Sequence, residues 1–250
     1  MNNENVNIEK EFYDKIGKTI GWDFSTMKCD VVDNSEFKYF DEINKNILEN
    51  TILLDIGTGG GEKLTNCISD KCLLKIGTDF SKEMIKHANK CNTNEKIRFI
   101  EMNSDKIDFP NNFFDIITAR HTPFNLEEVY KALKEDGLFF SEQIDEDDCE
   151  ELKELFVRGQ GYKVECKLID KIKSDINNYK FKQIEFYNII QNEYYKTEED
   201  LLFLLNNTPI ISNFGKIKND YVKFRKYVDK NRTEKGIVLI RRLFGLKIIK

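Results

Sequence analysis

The chain has 250 residues with a formal net charge of −5; its 40% hydrophobic and 12% aromatic content supports a sizeable core and excludes a disordered polymer. No apolar run reaches the length of a membrane span, and Met1-Asn2-Asn3-Glu4-Asn5 is too polar to begin a signal peptide. Six scattered cysteines without a Cys-x-x-Cys pair, and only two histidines, argue against a disulfide framework or a metal site and for reduced thiols in the cytoplasm.

In chain order, residues 5–20 read as an amphipathic helix with Ile8, Phe12, Ile16 and Ile20 at helical spacing, followed by Trp22-Asp23-Phe24-Ser25. A second helix spans roughly residues 36–48, with Phe37, Phe40, Ile43 and Ile47 on one face. Strand and helix then alternate. Strands are expected at 51–56, 73–78, 97–102, 113–119 and 138–143, with helices at 62–68, from the Ser81 cap to Lys90, and from Asn125 to Leu133. This rhythm predicts a Rossmann-like, doubly wound α/β sheet of about seven strands, mostly parallel, with an antiparallel C-terminal strand. Beyond Asp145 come helices at 149–157 and 168–176, a long strand at 184–195, a helix opened by Thr197 and Asp200, a helix around 222–228, and a final strand at 236–249 with a bend at Gly245. The expected organisation is a helical lid over 1–49, a ligand-binding core over 50–145, and a C-terminal completion over 146–250, all in one structural domain.

The strand 51–56 runs into Asp55-Ile56-Gly57-Thr58-Gly59-Gly60-Gly61-Glu62, and the next strand ends in Asp79. A dinucleotide loop would need its third glycine at position 62, which is Glu62, and a P-loop would need Gly-Lys-Ser/Thr. A pyrophosphate prefers backbone N–H groups without a nearby carboxylate, so Asp55 argues against it. A ligand bearing an ammonium and a sulfonium would welcome Asp55, while Asp79 suits a ribose diol. S-adenosylmethionine is such a ligand. The plain alternative is a tight turn followed by a helix-start acid.

These residues resemble the class I S-adenosylmethionine-dependent methyltransferases. Leu53–Glu62 resembles the family's first motif, and Asp79 matches its ribose-binding acid. Ile107-Asp108-Phe109-Pro110-Asn111-Asn112-Phe113-Phe114-Asp115 is similar to the segment leading into the family's fourth strand, and Leu133-Lys134-Glu135-Asp136-Gly137 to the turn before its fifth. The resemblance covers about residues 50–145. It implies cofactor contacts from Asp55, Gly57, Thr58, Gly59, Gly61, Asp79, Phe80, Asn103, Ser104 and Arg120. The family often places an aspartate near the adenine amine, where this chain has Asn103. The flanks at Trp22–Ser25 and Arg120-His121 look like an uncharacterised bacterial subgroup of small methyltransferases, with a looser likeness to enzymes acting on a guanine of ribosomal RNA.

Methyl transfer asks the protein mainly to align the acceptor and exclude water, with a base only where the acceptor must lose a proton. His121, ending the fourth core strand, is a candidate base; Arg120 is a candidate anion fork or a salt-bridge partner of the acidic segment 142–154; Glu142 is a candidate base or cation binder. Tyr13, Trp22 and Phe24 are candidates for an aromatic lid, or for core packing. The expected activity is methyl transfer to a small-molecule acceptor. RNA is the second possibility, because residues 215–250 hold twelve Lys/Arg against three acids; a solvated helix and strand explain the same charge. A non-catalytic cofactor binder and an NAD-dependent oxidoreductase complete the alternatives. No membrane partner is expected, and the oligomeric state is left open.

Overall fold

The computed structural model describes residues 26–250. The elements follow in order: β1 (Cys29–Asp33), α1 (Tyr39–Lys45), β2 (Ile52–Ile56), α2 (Glu62–Cys67), β3 (Leu74–Asp79), α3 (Lys82–Cys91), β4 (Ile97–Glu101), β5 (Phe114–Arg120), α4 (Leu126–Ala132) and β6 (Leu133–Ile144). There follow α5 (Glu150–Phe156), α6 (Leu168–Asp175), β7 (Gln183–Tyr195), α7 (Glu198–Asn207), α8 (Asp220–Asn231), β8 (Arg232–Thr233) and β9 (Gly236–Ile249). The sheet order is β1-β7-β9-β6-β5-β2-β3-β4, with β8 folded back on β9. From β4 to β6 every pairing is parallel, whereas β9 runs antiparallel to both β6 and β7. The chain steps outward from β2 through β3 to β4, then returns to the other side of β2 as β5. That reversal opens a crevice at the carboxyl ends of β2 and β5, where doubly wound sheets bind ligands.

Apolar pairs along the strands divide between two cores because successive side chains of a strand point to opposite faces. Leu53, Ile116, Phe140 and Leu243 join α1, α2 and α3 on one face. Their neighbours Leu54, Ile117, Phe139 and Phe244 join α4 and α6 on the other. A third cluster packs α5, α7 and α8 around Tyr195, Ile237 and Leu239.

Caps hold where the chain's own residues predict them. Ser81 Oγ accepts from Met84 N, and Thr197 with Asp200 forms a complete capping box. Asn125 caps α4, but Glu128 turns away and accepts from Ile107 N at 3.1 Å, tying the preceding loop to the helix. The two strands beyond the expected seven are both short. β1 escapes the sequence pattern because it is an exposed edge strand, Val31 being 54% exposed. β6 starts early because Leu133 already pairs with Phe114 before the chain bulges through Lys134–Gly137. The helix expected at 5–20 lies outside the described residues.

Gly245 does not break β9, whose pairing runs through it on both sides. It leaves a dimple instead. Phe37 occupies it, and stacks on Tyr187 with centroids 4.6 Å apart. A Cβ there would lie 2.5 Å from the Phe37 ring.

The acidic and basic stretches meet each other. Arg241 Nε binds Asp148 Oδ1 at 2.9 Å and its Nη1 reaches Glu193 at 3.2 Å, all three groups being largely buried. Arg242 forks onto Glu151 at 2.8 Å, while Arg225 and Arg232 converge on Glu198. These contacts join α5 and α7 to β9 and its flanks. No helix among the described residues is long and apolar enough to cross a membrane.

Filling the dimple should cost stability through overpacking. Gly245→Val is expected to lower the unfolding free energy by about 1–3 kcal/mol, read as a shift in urea midpoint; an unshifted midpoint would show that Phe37 moves aside freely.

Candidate active site

The turn after β2 is possible only because glycines take left-handed backbone angles, φ 68° at Gly57 and 82° at Gly61. Both positions also lack room for a side chain. A Cβ on Gly57 would fall 2.3 Å from Thr122 Oγ1, and one on Gly61 would fall 2.4 Å from the Phe99 ring. Thr58 N donates to Thr78 O at 2.8 Å, stitching the turn to β3. At the tip of β3, Asp79 accepts from Gly59 N and from Ser81 N, each at 2.9 Å. One carboxylate therefore links the glycine turn to the start of α3.

Asp55 points into the crevice one residue before the end of β2. Parallel pairing sets it beside Thr118 of β5, whose hydroxyl donates to Asp55 Oδ1 at 2.7 Å. Burial disfavours the charged form more than Thr118 and Arg120 support it, and the carboxyl is pushed up to about 6.

Arg120, His121 and Glu142 come together. The β5–β6 register sets Arg120 opposite Glu142. Arg120 Nε donates to Glu142 Oε1 at 2.8 Å, and His121 Nε2 lies 3.3 Å from the same oxygen. His121 N also donates to Glu142 O at 2.8 Å, with the histidine backbone at φ 53°. Burial alone would raise the Glu142 carboxyl, but bonds from His121 and the Arg120 charge outweigh it and hold it at about 2. Desolvation and Arg120 lower His121 to about 4, so the ring is neutral near pH 7. The Arg120 guanidinium lies over the Phe40 ring, 5.7 Å from its centroid.

These groups line one cleft. Its walls include Tyr39 and Phe40 of α1, Asp55, Gly57, Thr58, Lys63 of α2, Thr118, Arg120 and His121. Tyr39 is 5% exposed, and its Oη beside Thr118, like Thr58 Oγ1 beside Asp55, makes no hydrogen bond of good geometry. Buried polar atoms of this kind carry a desolvation cost that a bound ligand would relieve. Gln143 braces the loop beyond His121, donating to Thr122 O at 2.9 Å.

The other sequence candidates lie outside that cluster. Phe80 follows Asp79 and is half-buried. Asn103 and Ser104 form the turn after β4, where Asn103 Oδ1 accepts from Asp105 N at 3.1 Å. Tyr13, Trp22 and Phe24 lie outside the described residues. The sequence reading missed Tyr39, Lys63 and Thr118. Thr118 carried the one available signal, a polar residue at a strand position paired with Asp55. Among the described residues no His, Cys, Asp and Glu side chains gather into a group that could hold a metal ion.

Residues 54–137 match the family model of a methyltransferase domain. An uncharacterized protein of Methanocaldococcus jannaschii is 28% identical over 247 residues, covering 89% of this chain and 92% of that protein. The uncharacterized methyltransferase YcgJ of Bacillus subtilis is 34% identical over 97 residues, covering 35% of this chain and 38% of that one. Its crystal structure matches 85% of this chain and 97% of its own with a TM-score of 0.57 at 19% identity. A crystal structure of a putative methyltransferase from Bacillus halodurans matches 84% of this chain and 98% of its own, with a TM-score of 0.53 at 18% identity. At those identities the structural matches speak to the fold.

Asp55 makes the cleft sensitive to pH in a definite direction. The folded chain keeps its proton up to about 6, whereas the carboxyl's ordinary value is 3.8. Between these values the folded state binds more protons than the unfolded state, so stability falls as pH rises through that window. Asp55→Asn should abolish this slope. The variant is expected to exceed the wild type by about 1–2 kcal/mol at pH 7, after allowance for partial solvent contact, and to match it below pH 4, by urea midpoints across pH. Parallel pH profiles for the two proteins would show that Asp55 is not held out of its ordinary range.

Proposed function

We propose, for a chain that is a class I S-adenosylmethionine-dependent methyltransferase, that the acceptor is a small molecule meeting the cofactor in the cleft of Asp55, Arg120 and His121. The observation that carries this reading is the use of the basic C-terminal stretch within the fold. Arg225, Arg232, Arg241, Arg242, Lys247 and Lys250 each lie within ion-pair distance of a carboxylate of this same chain. Half of the twelve Lys/Arg of this stretch, including all four of its arginines, are thus engaged within the fold and are not free to meet phosphates. The core of residues 50–145 and the C-terminal residues 146–250 then have distinct tasks, cofactor binding and acceptor-side closure, and residues 1–49 contribute Tyr39 and Phe40 to the cleft wall.

The residues present fit the cofactor. Asp55 is a buried carboxyl whose charge its neighbours do not fully offset, and the buried Tyr39 Oη and Thr58 Oγ1 beside it have no well-formed hydrogen bond. Asp55 would hold the ammonium, Arg120 the carboxylate, Asp79 the ribose hydroxyls, and Phe80, Asn103 and Ser104 the adenine side, with Gly57, Gly59 and Gly61 allowing close approach of the backbone. When bound, S-adenosylmethionine supplies a methyl group on a sulfonium, activated for in-line displacement.

The chain itself aligns the acceptor, keeps water out, and accepts a proton where the acceptor has one to lose. Ionised Glu142 faces His121 Nε2, which keeps the ring proton on that nitrogen and leaves Nδ1 as the acceptor. A ring held near 4 is a weak base toward a resting hydroxyl or ammonium. It takes the proton only as the attacking atom becomes acidic in the transition state. Glu142 then lies beside the imidazolium that forms, while Arg120, bound to the same oxygen, opposes it.

Three measurements test these assignments. Asp79→Ala is expected to weaken binding of S-adenosylhomocysteine by about 1–3 kcal/mol in calorimetry, with an unchanged circular dichroism spectrum; full affinity would remove Asp79 from the site. In an NMR titration of the two histidines, Glu142→Gln should lower the His121 pKa further and Arg120→Gln should raise it. Opposite or absent shifts would dissolve the cluster. Finally, ribosomal RNA fragments should bind feebly and without a steep salt dependence, since tight retention that collapses with added salt is the mark of a phosphate-binding enzyme.

A further inference from the structure

Two walls of the cleft, Tyr39 and Phe40, come from α1 and precede the matched residues 54–137. Tyr39 opens that helix. Its ring makes edge contacts with Phe37 and Phe40, at centroid distances of 6.4 and 5.1 Å. The helix is itself anchored: Asn44 Nδ2 donates to Cys67 O at 2.8 Å, and Asn44 Oδ1 accepts from Ser69 N at 2.9 Å, which ties α1 to the end of α2. The phenol is therefore held in place by the fold.

Its hydroxyl ends among hydroxyls and charges. Thr118 lies beside it, and the fields of Asp55, Glu142 and Arg120 reach it, two acids against one base. Thr118 directs its one proton to Asp55 Oδ1 at 2.7 Å and to Leu54 O at 3.2 Å, so it has none to give Tyr39. Arg120 is bound to Glu142, and Lys63, the cleft's other cation, is exposed and screened by solvent. Thr58 Oγ1 meets the Asp55 carboxyl from the glycine turn, and like Tyr39 Oη it lacks a well-formed hydrogen bond.

A buried carboxyl whose charge is not fully offset, with two under-used hydroxyl oxygens around it, makes an electronegative corner. Such a corner suits a compact cation with several N–H donors, and a primary ammonium has three. The free volume of about 70 Å³ is well below the roughly 300 Å³ of a pocket that encloses a whole small ligand, so the corner takes one end of a ligand.

We propose that Tyr39 Oη accepts an N–H of the cofactor's ammonium beside Asp55, and so makes the chain selective for the amino end of S-adenosylmethionine. This rests on the cofactor reading above and adds to it a specificity-determining contact from outside the matched residues. The probes are S-adenosylhomocysteine, its deamino analogue, which keeps the carboxylate, and its decarboxylated analogue, which keeps the ammonium. Each is titrated by calorimetry into the full chain at neutral pH, as wild type and as Tyr39→Phe.

Tyr39→Phe removes one buried hydroxyl and leaves the ring in its contacts, so the variant is expected to fold with an unchanged circular dichroism spectrum. It should weaken S-adenosylhomocysteine and the decarboxylated analogue by about five- to tenfold, as befits one hydrogen bond to a charged group partly replaced by water. The deamino analogue should stay within about twofold of the wild type. Loss on the deamino analogue alone gives Tyr39 to the carboxylate and overturns the proposal. Equal loss on all three ligands marks a structural role, and loss on none marks an uninvolved hydroxyl; either result overturns the proposal and leaves the cofactor reading standing. A wild type that binds none of the three overturns both.

Discussion

The contact between Gly57 and Thr122 sets the geometry on which the cleft depends. The turn after β2 and the loop after β5 lie against each other with no room for even a methyl group between them. Because β2 and β5 are paired neighbours at the switch point, that closeness brings Asp55, Thr118, Arg120 and His121 to one opening. A larger residue at position 57 would push the two loops apart and, with them, the carboxylate from the imidazole. The backbone angle of Gly57 and its missing side chain serve the same end.

Two carboxylates in this small space are treated oppositely, and the difference comes from their partners. Glu142 meets Arg120 and His121 and is held ionised far below neutrality. Asp55 meets the hydroxyls of Thr118 and Thr58 and the field of Arg120, and burial outweighs all three. The first is built into the fold. The second keeps a raised pKa because nothing in the fold offsets its burial.

Local patterns carried much of this into the sequence. The glycines and Asp79 announce themselves by spacing along one strand-turn-helix unit, and Arg120-His121 by ending an apolar strand. The Arg120–Glu142 pair, by contrast, depends on the parallel register of β5 and β6, twenty-two residues apart. Tyr39 belongs to the cleft because α1 crosses the sheet where it does, and its neighbours in sequence say only that a helix is present. The acidic and basic stretches were visible as charge, but their mutual pairing appears only once α5 is set beside β9. The strand β1 was silent because an exposed edge strand has no apolar alternation to display.

The place of β9 between β6 and β7 bears on how the sheet assembles. The parallel block from β2 to β6 is built from neighbours in the chain and can form by successive short crossovers. The β7 strand does not touch this block, because β9, the last strand of the chain, lies between it and β6. Without β9 the β6 edge would present a bare row of amides and carbonyls, and β1 and β7 would have no link to the parallel block. Such long-range closure is entropically slow, and an exposed strand edge is a template for pairing with other chains. A substitution that weakens the pairing of β9 would therefore bare the β6 edge, and is the kind of change expected to favour pairing with other chains.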